Sequence, residues 1–224
     1  MLNEIIFIFH CATITSFALV SLFIGPYALI TFISVQCILA NLFVIKQITL
    51  FGFTATCADA FTVGATLGLN LLQEYFGKEI TKKAIWVNFF LLIFYLIATQ
   101  IHLAYVPASF DSVQQHFTPI LSLMPRIVIA SFSVYFLVQM LDYYIYGLLK
   151  RIWNNKYLVI RNYCSIAFCQ LIDTILFSFL GLYGIVEDVW QIIFISYFVK
   201  LISIIIATPF VELSRKVYTL SKQN

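Results

Sequence analysis

Long apolar runs alternate with short polar breaks along nearly the whole chain, at 5–24, 27–45, 84–106, 119–149, 163–183 and 190–211. Runs of about 20 apolar residues are long enough to cross a bilayer as helices, whereas a barrel would need short alternating segments. The stretch 52–83 breaks the pattern, because it is apolar yet carries polar side chains at helical spacing. At 100° per residue, Asp59, Thr62, Thr66, Asn70 and Gln73 share a narrow arc, with Glu74 beside it. Ala60, Gly64 and Gly68 form a stripe nearly opposite, of the small-residue kind that lets helix backbones approach closely in lipid. The expected fold is therefore all-α, a polytopic bundle of seven transmembrane helices in one domain covering 1–224. Residues 1–26 read as an additional N-terminal helix and 27–212 as a six-helix core. The polar arc is expected to line a cavity in the bundle. For Thr62 and Thr66 taken alone, bonding to neighbouring helices is the stronger expectation.

The breaks carry orientation. The head Met1-Leu2-Asn3-Glu4 lacks a basic residue, so the first run reads as a retained helix rather than a cleaved leader. Gly25-Pro26 ends it, and Gly77 ends the third helix at the usual residue for a left-handed terminus. Lys78, Lys82 and Lys83 form one basic loop, Lys150, Arg151, Lys156 and Arg161 a second, and Arg215, Lys216 and Lys222 a basic tail. The loop at 107–119 has Asp111 and no basic residue, and Glu187-Asp188 is likewise acidic. Basic loops mark the cytoplasmic side, which puts the C-terminus in the cytoplasm and, over seven spans, the N-terminus outside. Lys46 is the dissenting charge.

Composition confirms the class. Hydrophobic residues make up 62% of 224 and charged residues 10%, so this is an integral membrane protein, multi-pass in the plasma (inner) membrane. The net charge of +3 lies in loops and implies no nucleic-acid surface. Cys11, Cys37, Cys57, Cys164 and Cys169 form no CxxC pair, and His10, His102 and His116 have no ligand spacing. No phosphate-cradling loop and no grouping of nucleophile with base stands out, so neither a cofactor, a metal nor an enzyme is expected.

Two ionisable residues fall near the middle of their spans, Asp173 in the sixth helix and Lys200 in the seventh. Each costs about 2.5–3.5 kcal/mol there, so each should face the interior, and on antiparallel neighbours they are natural partners. A substrate or proton site and a structural ion pair both fit. Gln170, Thr174 and Phe177 share the Asp173 face, and Ser196 and Ser203 share that of Lys200, company that favours a lined cavity. Arg126, after Pro125, can serve the site or snorkel to headgroups. Gln139, Asp142 and Tyr146 share an inner-end face with Tyr135. Glu74 can pair with Lys78 at helical ion-pair spacing.

The motifs Asn70-Leu71-Leu72-Gln73-Glu74-Tyr75-Phe76-Gly77, then Arg126 with Gln139 and Asp142, then Gln170-Leu171-Ile172-Asp173-Thr174, then Lys200-Leu201-Ile202 agree in order and spacing with a known family. In these the chain resembles the YhhQ-type queuosine-precursor transporters of the vitamin uptake transporter family. The resemblance implies import of 7-cyano-7-deazaguanine, 7-aminomethyl-7-deazaguanine or queuine by a six-helix core similar to the substrate-binding subunits of energy-coupling-factor transporters. It points to Asn70, Glu74, Arg126, Gln170, Asp173, Phe177 and Lys200 as ligand-binding residues. The expected partners are the small-molecule base, membrane lipid and a possible second copy of the chain. Two departures bear on ligand preference. Asn70 stands where the family usually has Asp, and Phe61-Thr62 where it often has an aromatic-Pro step. The alternative expectation is a substrate-binding subunit of an ATP-driven vitamin or nucleobase uptake complex, for which the Ala60, Gly64 and Gly68 face could be the coupling row.

Overall fold

The computed structural model describes residues 2–153 and 158–221, with side chains at all of these except 139–140, 142–144, 146–147, 149–150, 158–166 and 207–212. Helices α1 (Leu2–Ile24) and α2 (Pro26–Phe43) are followed by strands β1 (Gln47–Leu50) and β2 (Phe53–Thr56). Then come α3 (Asp59–Phe76), α4 (Lys78–Ala104), a short α5 (Gln114–Leu121), α6 (Met124–Ile152), α7 (Leu158–Phe177) and α8 (Val189–Ser221). A π-helical turn, Ser178–Leu182, extends α7.

Five helical segments among the described residues are long and apolar enough to cross a membrane: Leu2–Ile24, Pro26–Phe43, Lys78–Ala104, Gln114–Val138 and Val189–Ile206. The chain is a helical, multi-pass membrane protein. Helix α3 is not among the five because its polar stripe lowers its hydropathy, and the apolar part of α7, Ala167–Leu182, is shorter.

The structure corrects the expected start of the third helix. Residues 52–56 are not helical, since β1 and β2 pair antiparallel, Gln47 with Thr56 and Leu50 with Phe53. Phe51 and Gly52 close the turn at φ 52° and 82°, the left-handed pair that a two-residue hairpin requires. A lone hairpin is marginal in water, so this one depends on its docking. Asn3 Nδ2 donates to Thr49 O at 2.9 Å and the Phe51 amide to Glu4 Oε1 at 3.0 Å, both tying the hairpin to α1. The Thr54 amide donates to Gln191 Oε1 at 2.9 Å, and Phe51 and Phe53 meet Phe198 and Phe194 edge-on, tying it to α8. The expected long fifth helix is also divided. Pro119 lies in α5, and α6 begins at Met124 with Pro125 in its first turn, where a missing N–H costs nothing.

The small-residue stripe of α3 packs as expected. A Cβ placed on Gly64 would lie 2.1 Å from Gln36 Oε1 and 2.3 Å from Ile14 Cγ2, and one on Gly68 would lie 2.5 Å from Ile33 Cγ1. Those positions must be glycine because α1 and α2 lie directly against them. The row is therefore filled from within the chain. At the far end of α3 the Tyr75 and Ser214 hydroxyls bond at 2.7 Å and Tyr218 Oη donates to Tyr75 O at 3.1 Å, clamping α8. The bundle thus has a hairpin end and, around Gly77 and Lys78, a lysine end.

Candidate functional site

Beneath the hairpin lies a cavity of about 190 Å³ whose walls come from α2, β2, α3, α4, α6, α7 and α8. Its size suits one small molecule, being below the roughly 300 Å³ where drug-sized pockets begin. Helix α1 contributes no lining residue.

The polar stripe of α3 supplies one wall through Asp59, Thr62 and Thr66. Thr62 Oγ1 donates to Ala58 O at 3.2 Å and Thr66 Oγ1 to Thr62 O at 3.0 Å, so each hydroxyl is satisfied by its own helix while facing the cavity. The cavity-facing expectation holds at these two positions, whereas the bonds expected to neighbouring helices are made within α3 instead. These hydroxyls add polarity without leaving an unpaired donor.

Asp173 from α7 and Lys200 from α8 line the same cavity. Lys200 Nζ donates to Asp173 Oδ2 at 2.9 Å and to Thr174 Oγ1 at 3.0 Å, and Thr174 Oγ1 donates onward to Gln170 O at 2.7 Å. The Lys200 side chain is 6% exposed and that of Asp173 is 25% exposed, so the carboxylate is the more accessible member of the pair, while both line the cavity. An ammonium has three donors, and two are engaged here. One N–H therefore remains for a ligand acceptor.

Other walls add amides and rings. Asn41 Nδ2 donates to Cys37 O at 2.8 Å while its Oδ1 accepts from Ser131 Oγ at 2.7 Å, leaving that amide fixed. Asn88 Oδ1 accepts from Ser34 Oγ, and among the described residues its Nδ2 donors have no partner. Phe89 stacks obliquely on Phe132 with centroids 4.2 Å apart and meets Tyr135 edge-on at 5.5 Å, forming an aromatic wall. Phe177 lines the cavity from α7. A Cβ at Gly181 would lie 3.1 Å from the Phe177 ring, so the glycine in the π turn lets that ring sit where it does.

The seven residues singled out in the sequence separate into three groups. Asp173, Phe177 and Lys200 come together in the cavity. Asn70 and Glu74 are exposed on α3 toward the lysine end, while Gln170, one turn from Asp173 in the same direction, has a buried Oε1 without a partner. None of these three lines the cavity. Arg126 sits at the hairpin end, where Nε donates to Leu180 O at 3.0 Å and an Nη to Tyr183 O at 2.6 Å. It satisfies carbonyls around the π turn, a local structural task. The side chains of Gln139, Asp142 and Tyr146 lie outside the described residues.

Asn41, Asn88, Ser131 and the Phe89, Phe132 and Tyr135 wall were not singled out for a site from the sequence, and a lone amide or ring in an apolar run gives little signal. Asp59 was legible as part of the polar stripe. It was not among the seven residues singled out as ligand-binding.

Residues 60–214 match the family described as "Putative vitamin uptake transporter". A Bacillus subtilis (strain 168) protein named "Probable queuosine precursor transporter" is 34% identical over 96% of each chain. No solved structure matches. With the family match covering most of the chain and the relative nearly all of it, this protein belongs to the vitamin uptake transporter family.

Proposed function

We propose that this chain imports queuosine precursors, 7-deazaguanine bases or queuine, across the plasma membrane. The observation that carries this reading is the ion pair of buried Lys200 with partly exposed Asp173, opening into a cavity with an aromatic wall. A deazaguanine presents a ring N–H and an exocyclic amine side by side, with a carbonyl next to them. A carboxylate accepts both donors at once, and a cationic N–H bonds the carbonyl. Asp173 takes the first role, and the remaining Lys200 donor, assisted by Asn88, takes the second. Phe177 and the Phe89 wall stack on the faces of the base, at about 1–3 kcal/mol per base.

Asn70, Glu74 and Gln170 then lie on the route from this site to the lysine end, and alternating access carries the base past them. Seven spans cross the membrane, with the lysine end and the C-terminus cytoplasmic, as the basic loops imply. The core is the six-helix unit of 27–212, similar in plan to energy-coupling-factor substrate-binding subunits. That α1 adds no cavity residue supports its place outside this core. Transport needs no catalytic group and no nucleic acid, and the chain works alone or as a homo-oligomer.

The test is uptake of labelled 7-deazaguanines by cells that lack their own synthesis and import. Accumulation only when this chain is expressed is the expected result. No accumulation despite membrane expression would overturn the reading.

A further inference from the structure

The cavity holds a second carboxylate that the proposed reading of the base edge leaves idle. Asp59, the first residue of α3, is 5% exposed, lines the cavity, and has Oδ2 without a hydrogen-bond partner among the described residues. The Ser196 and Thr56 hydroxyls stand beside it, and Lys200 and Asp173 lie within electrostatic reach. Lys200 bonds Asp173 and Thr174, not Asp59. Among the described lining residues, the ionisable groups besides these three are Tyr135 and Cys37, both neutral in their ordinary state. The wall therefore has two carboxylates against one ammonium. An unpaired charge buried in this way is costly unless something positive occupies the space beside it.

Building on the reading of the cavity as a deazaguanine site, we propose that Asp59 forms a subsite for an alkylammonium arm, so that the chain selects a cationic base over its neutral counterpart. An alkylammonium has three N–H donors and stays protonated at neutral pH. Asp59 Oδ2 is one acceptor, and the Ser196 and Thr56 hydroxyls from α8 and β2, which donate toward the Asp59 carboxylate, keep oxygen lone pairs that can accept as well. The subsite opens into the same space as the Asp173 and Lys200 pair, so one ligand can reach both. With the arm bound, the charges in the cavity balance. A neutral nitrile at the same ring position leaves Asp59 unpaired and its desolvation uncompensated.

Equilibrium binding to the purified full chain in lipid nanodiscs tests this, using 7-aminomethyl-7-deazaguanine and 7-cyano-7-deazaguanine as probes. The wild type should bind the aminomethyl base at least about tenfold more tightly, and Asp59→Asn should bring that ratio toward one. Ser196→Ala, which keeps the carboxylate, should lower the ratio by roughly threefold and guards against a folding defect in the first variant. Equal affinities in the wild type, or a preference for the nitrile, would overturn the subsite while leaving the import reading intact. So would a sodium or proton dependence of nitrile binding that vanishes in Asp59→Asn, which would assign the carboxylate to ion coupling. Binding of neither base would overturn both.

Discussion

Helix α3 carries two stripes that sequence periodicity separates equally well, yet the structure uses them in opposite ways. Ala60, Gly64 and Gly68 are pressed against α1 and α2 so closely that a Cβ at either glycine would overlap a neighbour. Asp59, Thr62 and Thr66 face a cavity that none of the described side chains fills. The first stripe is a demand of packing, and any added atom is a clash. The second borders a cavity, where an added atom takes up open volume. The polar stripe also divides along its length, since Thr66 borders the cavity and Asn70, one turn on, is exposed beyond it.

The largest effect should come from the packed stripe. Gly64→Leu places its side chain into Gln36 and Ile14, so loss of a folded, monodisperse protein in size-exclusion chromatography is expected. A normal profile would mean that α1 and α2 do not hold α3 in this way. On the opposite stripe, Thr66→Leu should fold normally but fill part of the cavity, lowering uptake by about tenfold. Uptake at the wild-type rate would separate the cavity from transport. Asn70→Ala should lower uptake by only about two- to threefold with full membrane expression, because the amide does not line the cavity. A loss as deep as that of Thr66→Leu would move the binding site toward the lysine end. Arg126→Gln should lower thermal stability by about 1 kcal/mol through the π-turn carbonyls while leaving the affinity of the binding site within twofold. A weakened affinity without a stability change would restore Arg126 to ligand contact.

Much of this was legible in the sequence where a physical rule acts along one helix. The apolar runs, the Gly77 terminus, both α3 stripes and the Asp173 and Lys200 partnership follow from period, hydrocarbon thickness and the cost of burying charge. The hairpin was not legible. Its turn is Phe51-Gly52 rather than the Asn-Gly that announces a two-residue turn, and its strands are held by Glu4 and Gln191, from distant parts of the chain. That missed hairpin moved the expected start of α3 and placed Asp59 too deep in the helix. The aromatic wall was hidden for a different reason. Phe89, Phe132 and Tyr135 look like many other rings in apolar runs, and only tertiary packing brings them together.

The direct measurement is uptake by the paired neutralisation of Asp173 and Lys200. Asp173→Asn alone should abolish uptake, and Lys200→Met alone should leave the partly buried Asp173 without its partner and destabilise the bundle. In the double variant no charge is left unpaired at this pair, so a folded protein is expected at the membrane. If Asp173 accepts the donors of the base, that folded protein transports nothing. Recovery of uptake in the double variant would show that the pair serves only to hold α7 against α8, and the cavity would lose its claim to be the binding site.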